Sequence, residues 1–313
     1  MLKSIYIVTL LVLSVTRTEQ AYQNELGYQP VARGQVSSEL ANIWQSPPAE
    51  GARWVLMKPD SESEVFLRFV ETGSQGNYQP MKTLGWNAVE IQAADPDRLS
   101  GQLDPDLFEI IGPPAFLTDK NNIRAMQALG PDRELLYFTH VIDPELTSFN
   151  IGTAQSWVDR VFIMVLGTAD LEATTVFYRD TLGQAISGPY PYRVSVLSRA
   201  WNEPEDTLYD LSIAQLQEPF LIEIDRYPDA AERRLDSSIG LPYGPAIVSF
   251  RVESLDNVAK RTGQKAVALQ SAPYRGASVL FLEGPSGERI ELVGPAHDVA
   301  LRPRRRKRPR AGG

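Results

Sequence analysis

Few side chains in this sequence of 313 residues are suited to catalysis or metal binding, because it contains no cysteine and two histidines. Without cysteine the chain cannot form a disulfide, a zinc–thiolate site, an iron–sulfur cluster or a thiol nucleophile. A site with two or three histidine ligands is close to impossible. We interpret His140, which follows a strand pattern, as a packed residue and His297 as an exposed one. The sequence lacks a phosphate-cradling glycine loop, a Gly-x-Ser-x-Gly elbow and a dinucleotide fingerprint.

The charge of the chain is unevenly distributed. Its net charge is −8, yet the run from Arg302 to Arg310 is strongly basic, so the rest of the chain is more acidic still. An acidic body repels nucleic acid and anionic membranes, so neither is an expected partner, except nucleic acid through this tail. The alternative, which we favour, is a disordered extension, because Pro303 and Pro309 discourage a helix and like charges repel.

An apolar run over residues 5–15 follows Lys3 at the N-terminus. It is typical either of a secretory signal or of a buried strand. The polar stretch that follows it offers no cleavage site of small residues, and the run is too short to span a bilayer. The internal repeats described next decide between the two interpretations.

The two halves of the chain repeat. The pattern Tyr-x-x-x-Leu-Gly occurs at 22–27 and at 178–183, in each case after an apolar run and a helix-forming stretch. A Gly-Pro pair at 130–131 precedes a strand pattern, as does a second pair at 284–285. Because the run 161–166 is a strand pattern in the second half, the equivalent N-terminal run is predicted to be a strand. We therefore predict a cytoplasmic protein without a signal peptide.

Each half divides again into two units that read strand, helix and three strands. The sequence therefore predicts an α+β fold of four βαβββ units, paired into two cup-like domains. We expect a first domain over 1–145, a linker over 146–158, a second domain over 159–297 and a basic disordered tail over 298–313.

The order of these motifs resembles the vicinal oxygen chelate superfamily, which includes glyoxalase I, bleomycin-resistance proteins, methylmalonyl-CoA epimerase and extradiol dioxygenases. The resemblance rests on the Tyr-x-x-x-Leu-Gly pattern and on the turn at 283–287, and it covers nearly the whole chain. It implies cups that bind a small organic ligand. It also implies a divalent metal held by the first and last strands of the units. Four units in one chain look most like the two-domain extradiol dioxygenases.

The resemblance places the metal-ligand positions of the second half on two isoleucines and two glutamates: Ile163, Ile247, Glu223 and Glu291. In the first half the same count gives Ile7, Arg68, Ala88 (or Asn87 after a slip of one residue) and Tyr137. Isoleucine cannot bind a metal, so we predict no protein-held metal and no cofactor. The alternative is a divalent metal bound weakly by Glu223 and Glu291, with the substrate completing its shell.

The two glutamates are then expected to face one cup. Close carboxylates without a cation raise the pKa of one of them, which suits general acid–base catalysis. The structural alternative, which we favour, is that Arg251 forms an ion pair with one of the two glutamates. A register error of one residue would turn these side chains to the other face of the sheet, and neither interpretation would then hold.

The function expected from the sequence is the binding of a small aromatic or apolar organic molecule in the second cup. The first half is then a structural partner. The predicted ligand-binding residues are Ile163, Ile247, Arg251, Tyr192 and Trp201. Whether the protein is an enzyme is left open. The alternative is a lyase, isomerase or epimerase, or a dioxygenase-type enzyme, that uses Glu223 and Glu291. The protein is expected to be a monomer or a homodimer.

Overall fold

Sixteen strands form two eight-stranded mixed sheets among residues 1–73, 76 and 78–296, which are the residues that the computed structural model describes. The chain is built from four successive units, each with a strand, a helix and three further strands. The predicted α+β fold of four βαβββ units is therefore confirmed. His297 and the basic run from Arg302 to Arg310 lie outside the described residues.

The first sheet combines the first and fourth units in the order β14-β15-β16-β13-β1-β4-β3-β2. The elements of the first unit are β1 (Leu2–Val12), α1 (Val15–Leu26), β2 (Gln29–Gln35), α2 (Ser38–Ile43), β3 (Arg53–Lys58) and β4 (Phe66–Glu71). Those of the fourth unit are β13 (Pro245–Val252), α6 (Asp256–Thr262), β14 (Val267–Ala268), β15 (Ala277–Glu283) and β16 (Arg289–Ala296).

The second sheet combines the second and third units in the order β10-β11-β12-β9-β5-β8-β7-β6. The elements of the second unit are β5 (Gly85–Ala93), α3 (Pro96–Ser100), β6 (Glu109–Phe116), β7 (Ile123–Leu129) and β8 (Leu135–Val141). Those of the third unit are β9 (Val158–Thr168), α4 (Leu171–Val176), β10 (Ile186–Arg193), α5 (Ser195–Trp201), β11 (Leu208–Gln215) and β12 (Leu221–Arg226).

This pairing corrects the expected domain organisation. The segments 1–145 and 159–297 were expected to form one cup each, but each contributes one unit to each sheet. The reason is that the first strands of the units pair antiparallel across the halves, β1 with β13 and β5 with β9. The segment 146–158 connects β8 to β9 and so links the second unit to the third within one sheet.

The N-terminal apolar run is a strand at the centre of the first sheet, as the repeats predicted. Strand β1 pairs with β13 on one side and with β4 on the other, and all but one of its eleven residues are buried. A strand buried on both faces needs a continuous apolar run rather than an alternating one. Ser14 ends the run by capping α1, and Gly27 closes that helix with φ 73°.

The main hydrophobic core lies between the two sheets and includes residues of all four units, among them Val8, Val89, Met164 and Val248. A second cluster fills the concave side of the first sheet. Within the described ranges, every helix is too short or too polar to cross a membrane.

Candidate functional site

The concave side of the second sheet encloses a cavity of about 590 Å³. Its walls are largely apolar and come from both units of the sheet and from the segment between them. They include Ile123, Phe149, Ile151, Phe162, Ile163 and Ile213. Segment 146–158 is therefore part of the cavity wall as well as a connection. A concave, mostly apolar cavity with a few polar groups is typical of a small-molecule site.

Two carboxyl groups lie on the floor of this cavity. Glu90 projects from β5 opposite Ile163 of β9, and Glu223 projects from β12 two residues beyond Leu221, which also pairs with Ile163. The Thr139 hydroxyl donates a hydrogen bond of 2.6 Å to Oε1 of Glu90. No other described residue hydrogen bonds to the Glu90 carboxyl, although this side chain is only 6% exposed. One oxygen of Glu90 is therefore left for a ligand.

Burial makes these carboxyls unusually weak acids. Loss of solvation, followed by the charge of Glu223, raises the pKa of Glu90 to about 8. Burial likewise raises the pKa of Glu223 to about 7. Asp225 lies deeper on the same face of β12, and burial and the neighbouring Glu223 raise its pKa well above the usual range. Both Glu90 and Glu223 can thus exchange a proton near neutral pH.

Aromatic side chains form part of the cavity mouth. Tyr190 and Tyr192 project from the edge strand β10 and line the cavity. The Tyr192 hydroxyl donates a hydrogen bond of 2.8 Å to the backbone carbonyl of Leu117, which follows the opposite edge strand β6. This bond joins the two edges of the sheet across the cup. Lys120, also at the mouth, donates to the Leu146 carbonyl at 3.3 Å.

The cup of the first sheet, in contrast, is filled by side chains. Glu291 is fully buried there and accepts hydrogen bonds from Trp44 Nε1 (2.7 Å), the Ser249 hydroxyl and the Tyr274 hydroxyl. Tyr274 in turn accepts a bond of 2.8 Å from Arg68, whose guanidinium lies 5.3 Å from the rings of Trp44 and Tyr274. This network gives Glu291 a structural role and leaves it no contact with the cavity.

The structure therefore corrects the predicted pair of catalytic carboxylates. Glu223 lies in the second sheet and Glu291 in the first, because the fourth unit pairs with the first unit and not with the third. They face different cups and cannot act on one substrate or bind one metal ion. The residue that shares the cavity with Glu223 is Glu90.

The predicted ligand-binding residues are divided in the same way. Ile163 and Tyr192 line the cavity. Ile247 is buried in the filled cup of the first sheet. Arg251 also lies in the first sheet and pairs with Glu64 at 2.6 Å, so the ion pair expected with Glu223 or Glu291 is wrong. Trp201 is outside the cavity wall, with its indole N–H bonded to the Met81 carbonyl at 2.8 Å.

Glu90 was missed because the count along the first half ended on Ala88. Glu90 lies two residues further along the same face of β5, and the continuous pairing from Ala88 to Glu90 places Glu90 opposite Ile163 of β9. A signal was present in the sequence, since Glu90 interrupts an otherwise apolar or uncharged strand pattern. Tyr137 faces the same cup, where burial and the charge of Glu223 raise its pKa well above the usual range.

Neither cup fits a protein-held divalent metal. In the second sheet the neighbours of Glu90 and Glu223 are Ile163, which has no atom that could bind a metal, and the Thr139 hydroxyl. In the first sheet every oxygen of Glu291 is already hydrogen bonded. Within the described ranges, three or more His, Asp or Glu side chains never converge in an arrangement that suits a metal ion.

Comparison with solved structures identifies the fold. Glyoxalase I from Zea mays superposes with a TM-score of 0.58 and 14% identity over 93% of this chain and 92% of that one. A point mutant of the same enzyme gives a TM-score of 0.60, also at 14% identity and with the same coverage. A proposed dioxygenase from Bacillus subtilis gives 0.59 at 11% identity, over 95% of this chain and 88% of that one.

These similarities place the chain in the vicinal oxygen chelate fold, as its motifs suggested. At such low identity they concern the fold alone. The sequence matches no family model and no curated protein.

Proposed function

We propose that this protein binds a small organic molecule with an aromatic or apolar body in the cavity of the second sheet, without a metal held by the protein. The observation that carries this proposal is an apolar cavity of about 590 Å³ with two carboxyls at its floor. The volume is within the range of small-molecule sites. The apolar walls bind the body of the ligand, and Glu90 and Glu223 orient its polar group.

A second candidate is a lyase, isomerase or epimerase that uses these two carboxyls for proton transfer. It is favoured by the pKa of about 8 for Glu90 and of about 7 for Glu223, since a catalytic acid or base works best near the ambient pH. Glu90 takes the place that the sequence assigned to Glu291. Incubating the bound molecule in D₂O tests this candidate: deuterium incorporation or a changed product supports it, and recovery of the unchanged, unlabelled molecule excludes it.

Binding is tested with a panel of neutral, cationic and anionic aromatic fragments. Saturation-transfer NMR detects which of them bind. Substituting Ile163→Trp places an indole on the cavity floor beside Glu90 and Leu221 and is expected to weaken strongly the binding of the fragments that the wild type binds. If that variant does not fold, Ile163→Phe adds less bulk at the same place. Val31→Trp introduces the same side chain at an exposed site on the first sheet and serves as control. Fragment binding that Ile163→Trp leaves unchanged would refute the proposal.

We propose a monomer or homodimer of cytoplasmic location that binds no nucleic acid through its body. Truncation before Arg302 tests the tail: if nucleic acid binds, that binding should be steeply salt-dependent and lost with the tail.

A further inference from the structure

We infer that the molecule bound in this cavity is a small organic cation, an amine or a quaternary ammonium, with its charge at the carboxyls and its aromatic or apolar body against the walls. This inference rests on the proposed function, and it names the class of ligand. It follows from the charges that face the cavity and from the aromatic side chains at its mouth.

The first observation is that the carboxyls of the floor have no basic partner. Glu90 and Glu223 take part in no ion pair among the described residues, although both line the cavity. A buried carboxylate needs a neighbouring cation to stay ionised, and without one it takes up a proton, as the raised pKa values of Glu90 and Glu223 indicate. Here the place of that cation, next to the free oxygen of Glu90, is open to the cavity.

The other charged groups around the cavity do not supply the missing positive charge. Asp225 and Asp119 add acidic groups, one deeper than the floor and one at the mouth. Lys120 is the basic side chain of the wall, and it is bonded at the rim to a backbone carbonyl. The charge of Arg199, on α5, partly offsets the rise in the pKa of the buried Tyr137. Arg199 itself forms an ion pair with Glu205 at 3.5 Å. Once Glu90 and Glu223 ionise, the cavity is therefore acidic on balance, and it favours a cation over an anion.

The second observation concerns the aromatic side chains of the cavity and does not depend on the carboxyls. Tyr190 and Tyr192 present their rings at the mouth, and Phe149 and Phe162 line the interior. Aromatic faces attract a positive charge, and most strongly when it is alkylated and weakly hydrated. An inorganic divalent cation is disfavoured, because the two carboxyls and the Thr139 hydroxyl supply fewer oxygen ligands than the roughly six that it needs when it loses its water. The chemistry that satisfies both observations is an organic ammonium.

The test compares two molecules of the same shape that differ in charge, benzyltrimethylammonium and its uncharged carbon analogue neopentylbenzene. Their dissociation constants are measured by NMR titration at about pH 6 and about pH 9. Ionisation of Glu90 and Glu223 between these values should tighten binding of the cation by about tenfold or more and leave that of the neutral analogue unchanged. Calorimetry in two buffers near pH 7 should record net proton release when the cation binds.

Variants locate the effect. Glu223→Gln and Glu90→Gln should each weaken binding of the cation at about pH 9 by about tenfold and leave the neutral analogue unaffected. Glu253→Gln, a change at an exposed bend just after β13, should alter neither. If the neutral analogue binds as tightly as the cation at about pH 9, the cation inference is overturned while the proposed function stands. If the cation does not bind at millimolar concentration and the neutral analogue does not bind up to its solubility limit, both are overturned.

Discussion

At the scale of single residues, Glu291 and Glu223 occupy equivalent positions in their units and have opposite environments. Glu291 is held by Trp44, Ser249 and Tyr274, while Glu223 faces a cavity. A glutamine at position 291 would present an amide N–H₂ to at least one of these donors and leave the charge of Arg68 without its counterpart. We expect Glu291→Gln to lower the free energy of unfolding by about 3 kcal/mol.

Urea unfolding of the whole protein measures this effect, with Glu253→Gln as the matched control at an exposed site. Fragment binding in the second cup should be unchanged in whatever fraction of Glu291→Gln is folded. A variant as stable as the wild type would show that the Glu291 network contributes little. Loss of binding in the folded variant would return Glu291 to the functional site.

The two glutamates also illustrate what sequence can reveal about a site. The positions of Glu223 and Ile163 followed correctly from counting along regular strands. Glu90 did not, because it becomes a site residue through its pairing with Ile163 of β9, and the local pattern does not encode which strand β5 pairs with. Whether the carboxyl of Glu291 faces a cavity or a filled cup depends on Tyr274 in the same unit and on Trp44, which is 247 residues away in sequence.

At the scale of elements, the repeated motifs join the two sheets. Tyr22, from the first Tyr-x-x-x-Leu-Gly pattern, donates a buried hydrogen bond of 2.8 Å to Glu134 in the Gly-Pro turn of the other sheet. Tyr178 approaches Glu288 in the equivalent turn, but its hydroxyl lacks a partner in hydrogen-bonding geometry. The repeat that revealed the fold is therefore an inter-sheet contact and has no role in the cavity.

This difference between equivalent tyrosines gives a matched pair of variants. Tyr22→Phe removes a buried hydrogen bond and should lower the free energy of unfolding by about 1–2 kcal/mol. Tyr178→Phe removes a buried hydroxyl without such a bond and should be close to neutral. The measurement is urea unfolding of both variants and the wild type at one pH, from which the two losses in the free energy of unfolding are compared. Equal losses would mean that Tyr178 also forms a full hydrogen bond in solution.

At the scale of the whole molecule, the sequence predicted four units correctly but not which units pair. All units share one pattern of strand, helix and three strands, so each first strand can pair with any other first strand. The choice of β1 with β13 and of β5 with β9 is made by long-range packing. It follows that the segment 1–145 contains half of each sheet and leaves the long edges of β1 and β5 without partners.

We therefore expect the segments 1–145 and 146–313 to be insoluble or unfolded when each is produced alone. Produced together, they should form a folded one-to-one complex, because each supplies the strands that the other lacks. Circular dichroism and size-exclusion chromatography with light scattering measure both properties. A folded, monomeric 1–145 segment would contradict the pairing of units across the halves.

The whole molecule also buries an unusual number of weak acids. The pKa is raised to about 8 for Glu90 and Glu288 and to about 7 for Glu134 and Glu223, chiefly by burial, and it is raised for Asp225 as well. In the unfolded chain these groups ionise near pH 4. Between about pH 5 and pH 8 the folded protein thus holds more protons than the unfolded chain, and its stability must fall as the pH rises.

Each extra proton held by the folded state lowers the free energy of unfolding by about 1.4 kcal/mol per pH unit in this range. The acids with lowered pKa, such as Glu64 and Glu71, change stability only at lower pH, where they become protonated. We therefore expect the urea midpoint to fall steadily from about pH 5.5 to pH 8.5. Glu90→Gln, which cannot ionise, should make this fall shallower. A midpoint that is constant or rises with pH would mean that these carboxyls reach water in the folded protein, and the cavity floor would then be more open than the structure indicates.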